Sequence, residues 1–457
     1  MLLKGRDNVS YSRWATKEEV AKKLKAVNVD TGAEKSGVQV MYDDKFLYID
    51  DRESHNLVIG STGSGKTQVA ILPLLRLAME AKESIVLNDP KGEICKKTSY
   101  ALKNKGYEVK VLDFNDAKLG DNWNPLTIPY ELYNSDNKDR AMKMLDDLGY
   151  YLFFDPKETS DPFWTNTTID YFTGLVLYLF ENAKKEEVNL NSVFNLSSDI
   201  NRGDVSEFIY SIDKTSNIYV NLSGTLTAHQ DTRAGILSTF NQKMKKYVSR
   251  VNLSNMLSYS DIDLKEISNK PYALFIIGGD STYNCNLIPL LVSQIIECVS
   301  IFGNQEKCLN ILLDEFDSML PIKNFANVIN YCRGIRVKIT ATIRSYVHLN
   351  NMYSKDEAEI LKMCFGNLIY LLTDDIYTLE EISRYCGKKQ ENGNVVPLIS
   401  VEELKTLEVF EAVMIMPRMM PFKTKLLPDY EIYWGYDNKD SDIPERKEKV
   451  LSLYELK

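Results

Sequence analysis

Eight residues, Gly60-Ser61-Thr62-Gly63-Ser64-Gly65-Lys66-Thr67, follow the apolar stretch Leu57-Val58-Ile59 and precede a helix-forming segment. A phosphate-binding loop needs this arrangement, in which a buried strand empties into a glycine-rich turn whose amides converge on an anion at a helix start. The glycines permit the close backbone approach. Lys66 reaches the β and γ phosphates, and Thr67 offers its hydroxyl to Mg2+. The pattern alone arises by chance in unrelated chains, so its weight depends on a second, acidic strand downstream. ATP and Mg2+ are the ligands these residues predict.

Leu309-Asn310-Ile311-Leu312-Leu313-Asp314-Glu315-Phe316 supplies that strand. Asp314 is expected on the metal side and Glu315 as the group that polarises the attacking water. A further acidic turn, Asn88-Asp89-Pro90-Lys91-Gly92-Glu93, follows the strand Ile85-Val86-Leu87. It either lies beside the phosphate loop, where ligands of parallel sheets collect, or reflects only the turn geometry of its Asp-Pro and Lys-Gly steps. Pro73 falls inside the helix after the loop and is expected to kink or end it early, since an interior proline costs about 3 kcal/mol. Arg333 and Arg336 stand just before the strand Val337 to Thr342. They read either as a solvated strand end or as an arginine finger directed at a neighbouring subunit's γ phosphate.

Short runs rich in Val, Ile and Leu recur at 84–87, 109–114, 273–277, 310–313, 337–342 and 368–372. Apolar on both faces and alternating with helical patterns, they predict the interior strands of a mostly parallel α/β sheet. From 130 to 257 the alternation gives way to helical spacing alone. The expected organisation is an N-terminal extension with an edge hairpin over 1–53, a nucleotide-binding RecA-like domain over 54–129 and 258–435, an all-α domain inserted at 130–257, and a charged, flexible tail over 436–457. A chain of 457 residues exceeds one ordinary core, and 44% hydrophobic with 26% charged residues is a globular composition. The formal net charge of −9 does not suit a uniformly basic nucleic-acid binder, although a local basic lining remains compatible with it. The basic stretch Lys243, Lys245, Lys246 and Arg250 with Tyr247 is either such a lining or a solvated helix face. Seven cysteines without a CxxC pair predict a reducing cytoplasm and no zinc site. The apolar blocks 171–180, 272–277 and 287–296 fall short of the roughly 20 residues that cross a bilayer.

Taken together, the motifs resemble those of the type IV coupling proteins, conjugative ATPases of the wider RecA-like and FtsK-like DNA-pump group. The resemblance runs over nearly the whole chain. It rests on Ser12-Arg13-Trp14-Ala15-Thr16, the phosphate loop with Pro73, Asp89-Pro90-Lys91-Gly92-Glu93, Trp123-Asn124-Pro125-Leu126, Asp161-Pro162-Phe163-Trp164, Asp314-Glu315-Phe316, Arg333-Gly334-Ile335-Arg336 and the segment 374–387. It implies a hexameric ATPase that recognises a relaxase bound to DNA and delivers it to a secretion channel, with single-stranded DNA among its expected partners. The implied place of action is cytoplasmic, docked at the inner face of the membrane beside anchor or channel proteins.

Two departures qualify it. Members usually carry N-terminal transmembrane helices, whereas here the sequence begins almost at the motif preceding the nucleotide domain; it is either shortened or a soluble member docked to a separate membrane protein. Arg344 stands where the family has a glutamine that senses the γ phosphate, and arginine donates hydrogen bonds but accepts none. Slow hydrolysis or a second cation on the γ phosphate is expected. The alternatives to a motor are a nucleotide-switched recruitment platform and a double-stranded DNA translocase.

Overall fold

A computed structural model describes residues 11–28, 33–43, 45–155, 161–279, 286–304, 306–436 and 439–456. The chain forms two compact units: Met1–Val109, Glu266–Phe275 and Val299–Ser441 make the first, and Lys110–Lys265, Ile276–Cys298 and Asp442–Lys457 the second.

In the first unit a small sheet is built from β1 (Lys25–Val27), β2 (Val38–Asp43) and β3 (Phe46–Asp50) in the order β1-β3-β2. The main sheet uses β4 (Asn56–Ile59), β5 (Ser84–Asn88), β6 (Glu108–Asp113), β7 (Tyr272–Ile277), β8 (Leu309–Leu313), β9 (Val337–Ile343) and β10 (Asn367–Tyr370). A separate hairpin, β11 (Lys388–Glu391) with β12 (Asn394–Pro397), precedes the last two strands of the main sheet, β13 (Glu411–Ile415) and β14 (Phe422–Lys425). The main sheet runs β14-β13-β10-β4-β9-β8-β5-β7-β6. From β10 through β4, β9 and β8 to β5 every pairing is parallel, while β13 and β14 are antiparallel. All residues of β4, β5, β8 and β9 are buried, which is why these strands are continuous apolar runs. This is an α/β architecture with a mostly parallel sheet, as expected for a RecA-like core.

The N-terminal hairpin forms at the expected place but is not an edge of the main sheet. That edge is taken by β13 and β14. Val38, Val40 and Met41 of β2 instead pack with Val69 and Ala70 of the loop helix and with Ala412, Met414 and Phe422.

Pro73 neither ends nor breaks the helix. The chain makes a π turn over Thr67–Ile71, in which the Leu72 amide reaches back to the Thr67 carbonyl, and continues as α-helix Leu72–Glu80. A proline has no N–H to give the carbonyl four residues earlier, that of Val69. The side chain of Gln39, fully buried on β2, supplies the missing donor: Nε2 lies 2.7 Å from Val69 O and 2.8 Å from Leu427 O. Further along, Arg76 pairs through Nε and Nη2 with both oxygens of buried Asp429, at 2.6 and 2.9 Å.

The second unit is predominantly helical, including Lys138–Phe153, Pro162–Asn182, Leu190–Arg202, Asn217–Leu226 and Gln230–Val248. Its core is aromatic, with Phe153 against Phe172 at 5.4 Å and Tyr171 against Phe240 at 5.3 Å between ring centroids. Helix Pro162–Asn182 is capped by Asp161, which accepts a hydrogen bond from Phe163 N, and Pro162 takes the first position. The unit reaches beyond the expected 130–257. Trp123 packs edge-on to Phe114, its amide bonds Met256 O at 3.0 Å, and Asn124 Nδ2 donates to Val188 O at 2.7 Å. The charged tail also differs from expectation. Residues 442–456 are ordered against this unit, with Arg446 buried.

Replacing Gln39 by Leu leaves Val69 O buried without a donor and should cost about 1–3 kcal/mol. The midpoint of urea unfolding reads this, and Pro73→Ala in the same chain, which restores an N–H, should recover part of the loss.

Candidate active site

The parallel strands end together, and their C-terminal ends carry the expected residues. Strand β4 opens into the phosphate loop, whose first amide, Gly60 N, bonds Ile343 O of β9 at 3.0 Å while Ser61 N bonds Leu372 O beyond β10 at 2.6 Å. Gly63 and Gly65 have φ of +83° and +90°, the left-handed region that favours glycine. At Gly65 a side chain has no room in any case, since a Cβ there would lie 2.6 Å from the Phe410 ring.

Asp314, at the end of β8, is the junction of the site. Its Oδ2 accepts from Thr67 Oγ1 at 2.8 Å and its Oδ1 from Thr342 Oγ1 at 2.7 Å, and its carbonyl accepts from Asn88 Nδ2 at 2.9 Å. Glu315 follows in a left-handed conformation, φ 50° and ψ 44°, which a non-glycine residue holds only when its surroundings enforce it. Its amide bonds Thr342 Oγ1 at 2.9 Å, and its half-exposed carboxylate lies 3.6 Å from Lys91 Nζ. The Asp89 turn is therefore beside the loop, the first of its two readings. Burial, opposed by the Cys95 amide and reinforced by the charge of Asp314, pushes the Asp89 carboxyl up to about 6.

The residues fit a nucleotide and a metal. Lys66 Nζ, buried, donates to Gly60 O and Ser61 O of its own loop, so among the described residues its charge has only neutral carbonyls as hydrogen-bond partners. Burial lowers its pKa against the pull of Asp314, Asp317 and Glu315. The Ser64 hydroxyl is buried with no partner among the described residues, and nothing lies within 4 Å of the place where a Cβ on Gly63 would stand. An ammonium, an orphan hydroxyl and open space above the loop suit an anion of phosphate type. Thr67 and Asp314, in direct contact, supply the hard oxygen donors that Mg2+ takes.

Arg344 also reaches this end of the sheet. Its Nε and its amide both bond Oδ2 of Asp317, at 2.8 and 3.0 Å, and the Asp317 side chain is fully buried. Arg333 is not brought here. It lies in the turn before β9, at the other end of that strand, where Nη2 bonds Cys364 O at 3.0 Å. Seven residues at ~3.3 Å each put it roughly 20 Å from its own loop. Arg336 sits at the same end, bonding Glu306 O at 3.2 Å. The basic stretch of the second unit is not one surface: Lys243 and Tyr247 face inward, Lys243 lying 3.7 Å from Asp155 and Tyr247 bonding Leu152 O, so only Lys245, Lys246 and Arg250 reach solvent.

Sequence reasoning missed Thr342, Asp317 and Asn88. The available signal was a polar residue at the end of an apolar run, weak by itself because strand ends are ordinarily polar. It also missed His55, fully buried at the start of β4, whose Nδ1 accepts from Ile339 N at 3.0 Å and whose Nε2 faces Ile329 O at 2.9 Å. It thereby ties β9 to helix Phe325–Cys332, which leads into the arginine turn.

A family model for conjugative DNA transfer by the type IV secretory system matches residues 7–392. The chain belongs to this family. As a member of the conjugative DNA transfer family it has the coupling role in type IV secretion that the motifs implied. Among solved structures, the plasmid coupling protein TrwB in complex with the non-hydrolysable ATP analogue ADPNP is similar over 96% of this chain and 97% of its own, at 15% identity and a TM-score of 0.70. TrwB in complex with ADP and Mg2+ gives 0.69 at 15% identity, again over 96% and 97%. VirB4 of Thermoanaerobacter pseudethanolicus gives 0.57 at 12% identity, over 87% of this chain and 98% of that one. At these identities the likeness is one of fold. No curated protein matches the sequence. Among the described residues no helix is long and apolar enough to cross a membrane.

Burial lowers the His55 imidazole from 6.5 to about 4, aided by the charge of Arg333. A base whose folded pKa is depressed stabilises the fold fully above its unfolded pKa and loses that contribution as pH falls from 6.5 towards 4, by at most about 3 kcal/mol. Asp89 has the opposite sign, because its raised carboxyl binds a proton more readily in the fold. The test is therefore a difference: the stability gap between the unmodified chain and His55→Gln, read by urea unfolding, should narrow steadily between pH 7 and pH 4.5.

Proposed function

We propose that this member of the conjugative DNA transfer family hydrolyses ATP with Mg2+ and uses the cycle to recruit and drive a relaxase–DNA substrate towards the secretion channel. The observation that carries this reading is the hydrogen-bonded set Thr67, Asp314 and Thr342, which joins the loop, the acidic strand and the neighbouring strand at one sheet edge. Mg2+ bound there would neutralise charge on the β and γ phosphate oxygens. Lys66 would turn from its loop carbonyls to the phosphates, Ser64 and the loop amides would hold them, and Thr67 and Asp314 would hold the metal. Glu315, presented by its strained backbone and steadied by Lys91, accepts the proton of the attacking water. Arg333 stands too far from its own loop to serve it and acts on the γ phosphate of a neighbouring copy in a ring, the hexamer implied by the resemblance. Single-stranded DNA is the expected stimulus, and docking beside membrane proteins of the secretion system the expected setting.

A second reading, a nucleotide-switched recruitment platform with little turnover, is favoured by one feature. Arg344, anchored on Asp317, places a cation where the family has a water-orienting amide.

ATP turnover measured with and without single-stranded DNA, at rising protein concentration, separates the two: a motor accelerates with DNA and a platform does not. Lys66→Ala should abolish turnover, and Arg333→Ala should lower it at least tenfold in the assembled protein while leaving nucleotide affinity within a few-fold. Full activity of assembled Arg333→Ala would remove the finger.

Arg344→Gln should raise turnover if the arginine replaces the amide at the expense of rate, and lower it if the guanidinium stabilises the γ phosphate. Unchanged turnover eliminates both roles.

A further inference from the structure

The C-terminal segment of the second unit has no helix or strand from 446 to 456, yet it is held at defined points by side chains of the helical body. Apolar burial holds it only in part. Val450 is 91% exposed and Leu453 39%, Leu451, Tyr454 and Leu456 are half-buried with Tyr454 edge-on to Tyr178, and Arg446 is the one fully buried side chain in this stretch. Most of its polar contacts are made by its main chain, beside an ion pair of Lys449 with Asp261. The amide groups of Asn122, Asn255 and Asn189 donate to the carbonyls of Lys447, Lys449 and Ser452 at 3.3, 2.9 and 2.8 Å. The Tyr259 hydroxyl donates to Val450 O and accepts from Ser452 N, and Ser192 Oγ accepts from Tyr454 N at 3.1 Å.

Arg446 is received by a pocket of amide oxygens. Its Nε bonds Ala117 O at 2.8 Å, Nη1 bonds Asn122 Oδ1 at 2.9 Å and also Asn255 Oδ1, and Nη2 bonds Asn252 O at 3.4 Å. Acceptors set around three nitrogens suit the planar fork of a guanidinium and not the single ammonium of a lysine. Asn122 and Asn255 serve both parts of the site, taking the guanidinium through their oxygens and the backbone through their nitrogens.

Main-chain amides and one arginine are features that any suitably extended polypeptide can offer. We propose that this groove is a binding site for an extended, arginine-bearing segment of another polypeptide, and that residues 446–454 of the chain itself are its resident, exchangeable occupant. The inference concerns the second unit and stands apart from the nucleotide-site reading. A tethered occupant competes at high effective concentration, so the incoming segment binds well only when the tail has left or is outnumbered.

The test uses a fluorescein-labelled synthetic peptide with the sequence of residues 442–457 and reads fluorescence anisotropy. The full chain should bind it weakly, and full-length Arg446→Ala, whose own tail no longer fills the pocket, at least tenfold more tightly. On that variant a peptide with Lys at the arginine position should bind at least tenfold more weakly. Equal affinity of the two chains, or of the two peptides, overturns the proposal. Should Arg446→Ala not fold, hydrogen exchange on the unmodified chain decides. The amides of Ser452 and Tyr454 should exchange at least tenfold faster than those of helix Gln230–Val248, and faster again with excess unlabelled peptide. Exchange as slow as in that helix and unmoved by peptide would make the tail a fixed part of the fold.

Discussion

The Asp314 carboxylate is the point on which the first unit's chemistry depends. Each of its oxygens is taken by a hydroxyl, Thr67 from the phosphate loop and Thr342 from the adjacent strand, while Asn88 holds its main chain from the other side. A buried carboxylate is costly unless it is hydrogen-bonded, so this satisfaction fixes three segments relative to one another before any ligand arrives. The Thr342 hydroxyl extends the same logic by accepting the Glu315 amide, which holds that residue in a backbone conformation it would not choose alone. Preorganisation of this kind is what allows a nucleotide site to act without rebuilding itself around the substrate.

The parallel sheet also separates functions by its direction. Every strand from β10 to β5 delivers its C-terminal end to the loop side, and the N-terminal ends collect opposite. Arg333 sits there, on a turn steadied by the Cys364 carbonyl and, through the neighbouring helix, by neutral His55. One rigid element, β9, thus carries Thr342 and Arg344 at one end and the arginine turn at the other. In the proposed ring, the arginine end of one copy would face the loop end of the next only if the sheet stays stiff, and the fully buried strand β9 favours that stiffness.

Much of this was legible in the chain. The phosphate loop, the acidic strand and the buried strands β4, β5, β8 and β9 are local patterns, and local patterns survive folding because both faces of an interior parallel strand must be apolar wherever it lies. The run 109–114, also expected inside the sheet, instead forms β6 at its edge, half-exposed over its first three residues. Pro73, expected to kink or end its helix, is preceded by a π turn and does not end it, because the donor that repairs the helix comes from Gln39, 34 positions away. Lys243 and Tyr247 looked like surface because charge and aromaticity do not reveal which side of a helix faces in. The tail looked flexible because its composition is polar and charged, and its attachment depends on the side chains of other segments rather than on its own hydrophobicity.

By itself, the sequence determined that this protein has a phosphate loop on a buried strand, a mostly parallel α/β core and a helical body, since each is encoded in residue type and spacing over a few consecutive positions. Only the tertiary structure decided which acids face the loop, that Arg344 is anchored on Asp317, that Arg333 lies at the far end of its strand, and that residues 446–454 are hydrogen-bonded to the helical unit. Those outcomes rest on hydrogen bonds between residues far apart in the chain, and no local pattern specifies the partner that folding will bring.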